Sequence, residues 1–461
     1  MTTPPTPVDA LRAADDPEIG ARTYADDRAY VFHSWAAQAR VQPMVVSAAQ
    51  GSYVWDGAGR RYLDFSSQMV NTNIGHQHPA VVAAIAEQAS RLCTISPVHA
   101  NDQRGTAARM IVERSPLDPG AKVFFTNGGT EAVEHAVRMA RLHTGRPKVL
   151  STYRSYHGAT TTSINLTGDH RRWPNDTGSA GVQHFFGPFL YRSPFHSSTP
   201  EEESARALAH LDQVVALEGP GTVAAVILET VPGTAGIMAP PPGYLAGVRD
   251  LCDRHGIVFI ADEVMCGFGR TGAWFALDHW AVRPDLITFA KGVNSGYVPL
   301  GGVIVSPAIV ETFNERVYPG GLTYSGHPLA CASAVATMAA MTDEGIVEHA
   351  ARIGEKVIGP GLAELAERHP TVGEYRGLGV FWALELVADR ATREPLAPYG
   401  GTSPAMEALT AACKAGGLLP FTNYNRLHVV PPCTVSEDEV GEGLAIVDRA
   451  LSAADAYYRG S

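Results

Sequence analysis

The sequence predicts an α/β protein: a large domain with a mostly parallel sheet, joined to a smaller α+β domain. Three observations lead there. From about residue 103 strand-length apolar runs alternate with helical patterns, the signature of parallel strands linked by crossover helices. Two of those runs end in reactive side chains: residues 257–261 lead into Asp262-Glu263, and residues 285–290 into Lys291-Gly292. In open α/β sheets ligands bind at the carboxyl ends of the strands. Finally, 461 residues are more than one ordinary core holds.

The elements follow in order. Residues 1–27, polar, acidic and Pro-rich, predict a loosely held leader, and residues 30–40 a short helix. Residues 52–65 read as a hairpin about Asp56-Gly57. A loop at 75–79 precedes a helix that Pro79 opens and that runs to Leu92, with Val81, Val82, Ile85 and Ala89 on one face. A helix through Arg114, a strand at 122–126, a glycine loop, a long helix at 131–143, strands at 148–151 and 222–229, and a helix at 243–255 complete the approach to the two opening strands. Residues 168–200, rich in Gly, Pro, Ser and aromatics without a period, predict a functional or interfacial loop. After Pro328 come a helix of small residues, a helix at 346–368, strands near 373–388, a helix at 404–415, a strand at 427–430 and a helix at 436–458. The expected division is an N-terminal segment 1–75 contributing to the small domain, a large domain 76–328, and a C-terminal small domain 329–461.

Composition narrows the function. A net charge of −11 and a pI near 5.8 argue against nucleic acid or an anionic membrane as partner. Six cysteines without a C-x-x-C pair suggest neither disulfides nor zinc and fit a reducing cytoplasm. No signal-peptide pattern and no spanning apolar run occurs. His76-x-His78 has metal-ligand spacing but no third ligand, so no metal is expected.

Four motifs carry chemistry. Thr126-Asn127-Gly128-Gly129-Thr130-Glu131 joins a strand to a helix, so backbone N–H groups and a helix N-terminus can cradle a phosphate. The plainer reading is a cap, with Thr130 as N-cap and Glu134 in the first turn. Gly267-Phe268-Gly269-Arg270-Thr271-Gly272 satisfies G-x-G-x-x-G, but Asp262-Glu263 separate it from its strand and no crossover helix follows, which argues against a dinucleotide site. Lys291 leaves an apolar strand, where burial lowers an amine's pKa and favours a nucleophile or Schiff base; the plainer reading snorkels it to solvent. Asp262 could equally cap the turn at Gly267. Tyr156, in Tyr156-His157-Gly158, could stack on a flat ring or pack its own loop.

Together the segments FFTNGGTEAVEHAVRMAR (124–141), SYHG (155–158), IADEVMCGFGRTG (260–272), ITFAKGVNSGYVPLGGV (287–303) and LTYSGHPLACASA (322–334) are similar to class III aminotransferases. The resemblance runs from about residue 30 to the end. Met265-Cys266 resembles the amine:pyruvate or ω-transaminase branch, where ornithine and 4-aminobutyrate relatives carry Gln in place of Met265. It implies the fold-type I architecture and pyridoxal 5'-phosphate, bound in the large domain. Lys291 would form the Schiff base, Asp262 would pair with the pyridine nitrogen, and Val264 and Tyr156 would flank the ring. Gly129 and Thr130 would hold the phosphate, with Thr323 reaching it from a neighbouring subunit in a homodimer or tetramer. Glu229 matches the family's acid at the mouth of the site, although Thr230 replaces the Pro that usually follows. The family's carboxylate-binding Arg, ten residues before a Pro-Pro pair, falls on Phe421; Arg426 is the nearby substitute. Met69 and Val70 fall where relatives place large aromatic pocket residues.

The resemblance implies an aminotransferase moving an amino group from an amine or ω-amino acid to a keto acid, pyruvate foremost, by a ping-pong cycle. A decarboxylase, aminomutase or racemase would carry the same cofactor motifs. A non-catalytic regulator on this fold would need a DNA-binding segment that the acidic leader does not supply.

Overall fold

The computed structural model describes residues 17–175 and 181–460. The first sixteen residues of the expected leader lie outside these, but its continuation is a helix, α1 (Pro17–Tyr30). The helix expected over 30–40 reduces to one tight turn at Gln38–Arg40.

The N-terminal hairpin forms, with one strand more than predicted. β1 (Val46–Gln50), β2 (Tyr53–Asp56) and β3 (Arg61–Asp64) pair antiparallel in sequence. Asp56 closes the turn by accepting from the Ala58 and Arg60 N–H groups, the local bond that suits Asp to turns. Helices α2 (Pro79–Arg91) and α3 (Asp102–Arg114) follow. Val81 is buried and Val82 exposed, so the predicted α2 face is rotated from the buried one.

The large sheet contains β4 (Lys122–Thr126), β5 (Lys148–Thr152), β6 (Val182–Phe185), β7 (Val223–Glu229), β8 (Val258–Asp262), β9 (Leu286–Phe289) and β10 (Gly301–Val305). Its order is β4-β10-β9-β8-β7-β5-β6. Only β10 runs antiparallel, inserted between β4 and β9. Alternate side chains divide between two faces. On β7 and β8, Val226, Leu228, Phe259 and Ala261 join one core cluster. Ala225, Ile227, Val258 and Ile260 join the other, against α4 (Gly129–Thr144). The first face is covered by α6 (Pro200–Glu218) and α7 (Tyr244–His255), with the short α5 (Thr161–Leu166) preceding them. These strands read as continuous apolar runs because both faces are covered.

Two elements in this region escape the sequence pattern. β10 begins Gly301-Gly302, weak strand formers. A Cβ on Gly301 would come within 2.8 Å of the Gly128 backbone, and one on Gly302 within 2.6 Å of the Phe289 ring, so packing removes the side chains that would have marked the strand. The stretch 168–200 contains β6 and tight turns, and α6 begins at its end, capped by Thr199, which accepts from Glu202 N–H.

After α8 (Pro307–Thr312) and α9 (Pro328–Asp343), α10 (Ile346–Ile353) continues through a π-turn into α11 (Gly359–Arg368). β11 (Val372–Leu378), β12 (Phe381–Asp389), the short β13 (Glu394–Pro395), α12 (Pro404–Ala415), β14 (Leu418–Leu419), β15 (Phe421–Asn423), β16 (Arg426–Val429) and α13 (Glu437–Asp455) complete the chain. β14 pairs parallel with β3, tying the N-terminal hairpin to the C-terminal segment. Our proposed division therefore keeps residues up to 75 with residues 329–461, around the sheet at 76–328.

The glycine motif that mimics a dinucleotide loop is a turn around a buried arginine. Phe268 and Gly269 N–H donate to the Trp274 and Ala273 carbonyls. Arg270, fully buried, donates to Asn73 Oδ1 at 2.8 Å, Ser67 Oγ at 3.2 Å and the Pro431 carbonyl. One guanidinium thus joins the large sheet, the 67–73 loop and the C-terminal segment.

Candidate active site

A row of polar residues crosses the carboxyl edge of the sheet. Glu229 on β7 pairs in register with Asp262 on β8, and Asp262 with Thr288 on β9. Lys291 stands just past β9, in left-handed conformation at φ 46°. A non-glycine residue there signals backbone held by its surroundings, often at a functional site.

Asp262 is buried, 3% exposed. Three donors converge on it: His157 Nδ1 at 2.7 Å, Thr288 hydroxyl at 3.0 Å and Val264 N–H at 3.1 Å. The alternative reading, a cap for the Gly267 turn, does not hold, because Gly267 N–H donates to the Glu263 carbonyl instead. Burial pushes the Lys291 ammonium down to about 8, against the opposing charges of Glu229 and Asp262. The snorkelling alternative is excluded too: Lys291 lines the same cavity as Asp262.

The cavity is also lined by Gly128, Gly129, Thr130, Tyr156, His157, Val264, Met265 and Met69. The cap of α4 is Gly128, not Thr130, and no side chain caps it. Its first-turn N–H groups, those of Gly129 and Thr130 included, have no intrahelical partner, so positive potential points into the cavity. Glu134 lies beyond the first turn and accepts from Thr162 and Ser163 N–H.

A family model for class III aminotransferases matches residues 35–451. The chain belongs to the class III aminotransferases. It resembles a taurine:2-oxoglutarate aminotransferase from Bifidobacterium kashiwanohense, solved with PLP and glutamate: 40% identity, TM-score 0.92, 95% of this chain and 99% of that one. It also resembles an omega transaminase from Pseudomonas jessenii solved with PMP, at 28% identity and TM-score 0.90 over 94% and 98% of the chains. A taurine–pyruvate aminotransferase of Rhodobacter capsulatus is 32% identical over 468 residues, covering 96% and 99%.

As a class III aminotransferase the protein uses pyridoxal phosphate and has the fold-type I architecture. The residues present fit that group. The cavity offers an amine, a buried carboxylate and an uncapped helix N-terminus. His157 Nε2, buried at its wall, has no hydrogen-bond partner among the described residues. Beside Gly128 there is open space: a Cβ there would meet nothing within 4 Å. That space yields a prediction. Gly128→Ala should fold with an unchanged apo melting temperature, yet fill the cradle and weaken cofactor binding by roughly tenfold or more; fluorescence titration of the apo enzyme with cofactor checks it.

The other sequence-predicted residues divide. Val264, Tyr156, Met265 and Met69 line the cavity. Val70 does not: it is 1% exposed in an apolar cluster with Val231, Ile237 and Cys266, because the strained turn at 67–70 points it inward. Glu229 lies at the inner wall rather than the mouth, 7% exposed, accepting from Tyr156 N–H at 2.8 Å and Gly233 N–H at 3.0 Å. Burial, with the nearby Asp262 charge, pushes its carboxyl up to about 7.

Arg426 does not line the cavity: it is buried, its Nε lies 3.2 Å from Glu385 Oε2, and its Nη1 donates at 3.4 Å to the carbonyl of Thr234, a lining residue. β16 pairing with β12 sets it opposite Glu385. Arg171 does not line the cavity either, but its guanidinium stacks 3.7 Å over the ring centroid of Tyr156, which does. It chelates Asp169 and donates to Thr234 Oγ1 at 3.1 Å. Thr323 is exposed and outside the cavity lining of this chain. The sequence pattern did not single out His157, which lines the cavity, or Arg171, which packs on the lining residue Tyr156. His157 stood inside a motif already singled out, whereas Arg171 lies in the aperiodic stretch, where no pattern fixes a side chain's direction. His76 and His78 bond to different carboxylates, Asp64 and Glu344, each at 3.0 Å.

Proposed function

We propose that this chain moves an amino group from an ω-amino acid, or a related amine with an acidic group, to pyruvate in a ping-pong cycle. The observation that carries the reading is Lys291 and Asp262 in one cavity with the uncapped start of α4. Bound there, pyridoxal phosphate supplies a carbonyl that links covalently to amines and a ring that takes up the electrons freed at the donor's carbon.

The chain's residues do the rest. Lys291, titrating at about 8, has a neutral fraction near pH 7 that serves as nucleophile and then moves a proton at the substrate carbon. Asp262, fixed by His157 and Thr288, would hold a proton on the ring nitrogen. Val264 and Tyr156 would flank the ring, and the N–H groups of Gly129 and Thr130 would hold the phosphate. Thr323 is assigned to the site of a second copy, in a dimer alone or within a tetramer. Glu229 holds the Tyr156 backbone, and Met69, 53% exposed, borders the substrate side. The six free cysteines accord with a reducing cytoplasm; no helix among the described residues is long and apolar enough to cross a membrane.

Acid recognition moves from Arg426 to Arg171. Its Nη1 bonds to no described residue, while Nε and Nη2 are fixed. A single oriented guanidinium suits a partner with one acidic group, which favours pyruvate over a dicarboxylate acceptor. A donor panel with pyruvate or 2-oxoglutarate, followed by alanine or glutamate formation, tests the reading. Taurine or β-alanine with pyruvate should give the highest kcat/KM. Arg171→Met should raise KM for acidic donors by roughly 10–100-fold and leave that for arylalkyl amines without an acidic group within about twofold. Indifference of acidic donors to this change, or a preference for 2-oxoglutarate, would overturn the assignment.

A further inference from the structure

Beyond β7, on the same edge of the sheet, lies a second, partly open cavity of about 110 Å³. An engineered apolar cavity of ~150 Å³ holds benzene, so this one accepts a small group or a ring seated partly in its mouth. Phe186, Phe189 and Met238 give it apolar walls, and Arg154, Arg192 and Tyr244 also line it.

Several of its polar atoms lack partners among the described residues. Among the described residues the Tyr244 hydroxyl, on a residue 2% exposed, makes no hydrogen bond, and neither does Arg192 Nη2. A buried polar group left so costs about 1–3 kcal/mol, and few native groups are left unsatisfied without a reason. The Arg154 guanidinium stacks 4.9 Å over the Phe189 ring and has no hydrogen bond or carboxylate among the described residues. Its backbone is left-handed at φ 65°.

The neighbouring charges do not neutralise these cations. Arg192, Arg376 and Arg426 all pair with Glu385, and Arg376 also with Glu374. Counting Arg154, four guanidinium groups face two carboxylates. Glu203, fully buried nearby, is taken by Phe189 N–H and the Ser193 hydroxyl. Glu229 also lines the cavity, with its oxygens on Tyr156 and Gly233 N–H. Burial pushes the Arg154 pKa down, with Arg426 adding to the effect and the more distant charge of Glu385 opposing it.

We propose that this cavity is a binding site for a small apolar carboxylic acid, bound as its anion: the carboxylate on Arg154 and Arg192 with the Tyr244 hydroxyl donating, the apolar body against Phe186, Phe189 and Met238. It is separate from the cavity at Lys291 and shares with it only the Glu229 wall.

The probe is 4-fluorobenzoate, titrated into the holoenzyme and followed by fluorine NMR line width. Wild-type enzyme should bind it at millimolar concentration or below. Arg154→Met should weaken binding roughly tenfold or more, and Tyr244→Phe should weaken it while raising the ligand-free melting temperature, since it deletes an unpaired buried hydroxyl. Arg171→Met, at the other cavity, should leave the affinity unchanged. Absence of binding, affinity indifferent to Arg154→Met and Tyr244→Phe, or affinity lost in Arg171→Met would each overturn the proposal. Tyr244→Phe, nearly isosteric, keeps the test open if Arg154→Met fails to fold.

Discussion

Lys291→Met is expected to abolish amino transfer and, at the same time, to stabilise the cofactor-free protein. The first effect follows from losing the covalent anchor and proton carrier proposed for Lys291, a drop in kcat of at least ~10⁴-fold. Single-turnover assays and mass spectrometry after borohydride reduction check it: wild-type enzyme should retain the cofactor's mass covalently and the variant should not. The second effect follows from burial. The lysine titrates at about 8 in the folded chain, against 10.5 when unperturbed. Between those values the unfolded chain binds more protons, so stability rises with pH across the window. Below pH 8 the full penalty is present, about 3 kcal/mol. The apo variant should therefore melt higher than apo wild type at pH 7, and the gap should shrink as the pH approaches 10.5. A variant that melts lower at pH 7 would show that Lys291 is not held in a desolvated site.

Asp262→Asn should fold and retain cofactor, yet lose kcat by about 10²–10³-fold. The amide keeps the shape but gives up the negative charge assigned to the ring nitrogen. It also withdraws one of two anions that oppose the burial of Lys291, so the lysine should titrate below 8 in the apo variant. Reductive methylation of Lys291 against pH, read by peptide mass spectrometry, reports that titration independently of turnover. Activity within about tenfold of wild type would remove Asp262 from its assigned role.

The features most legible in the sequence were those enforced by burial. β7, β8 and β9 are buried along their whole length, so their apolar runs end abruptly where Glu229, Asp262 and Lys291 begin. α4 was legible through the glycines before it and the apolar positions along it. What stayed hidden was decided by partners distant in sequence. Arg426 looks like a free cation until β12 places Glu385 opposite it. Val70 sits beside an exposed Met69, and only the left-handed turn at 67–70 separates their fates. β10 lacks its side-chain signal because Gly128 and Phe289 leave no room for one. A single-sequence pattern records local periodicity, and these three outcomes depend on non-local contact.

The pairing of β3 with β14 has a consequence for how the chain is made. Arg60, beside β3, bonds to the Ala415 carbonyl, 355 positions further on. At roughly 5–20 residues per second of translation, the hairpin emerges on the order of 20–70 s before the strand that completes its sheet. During that interval one edge of β3 presents unpaired backbone groups, the kind of edge that recruits other chains. Slow translation of the last part of the message, or truncation before residue 418, should therefore send the newborn protein toward aggregates even with the cofactor-binding sheet already synthesised.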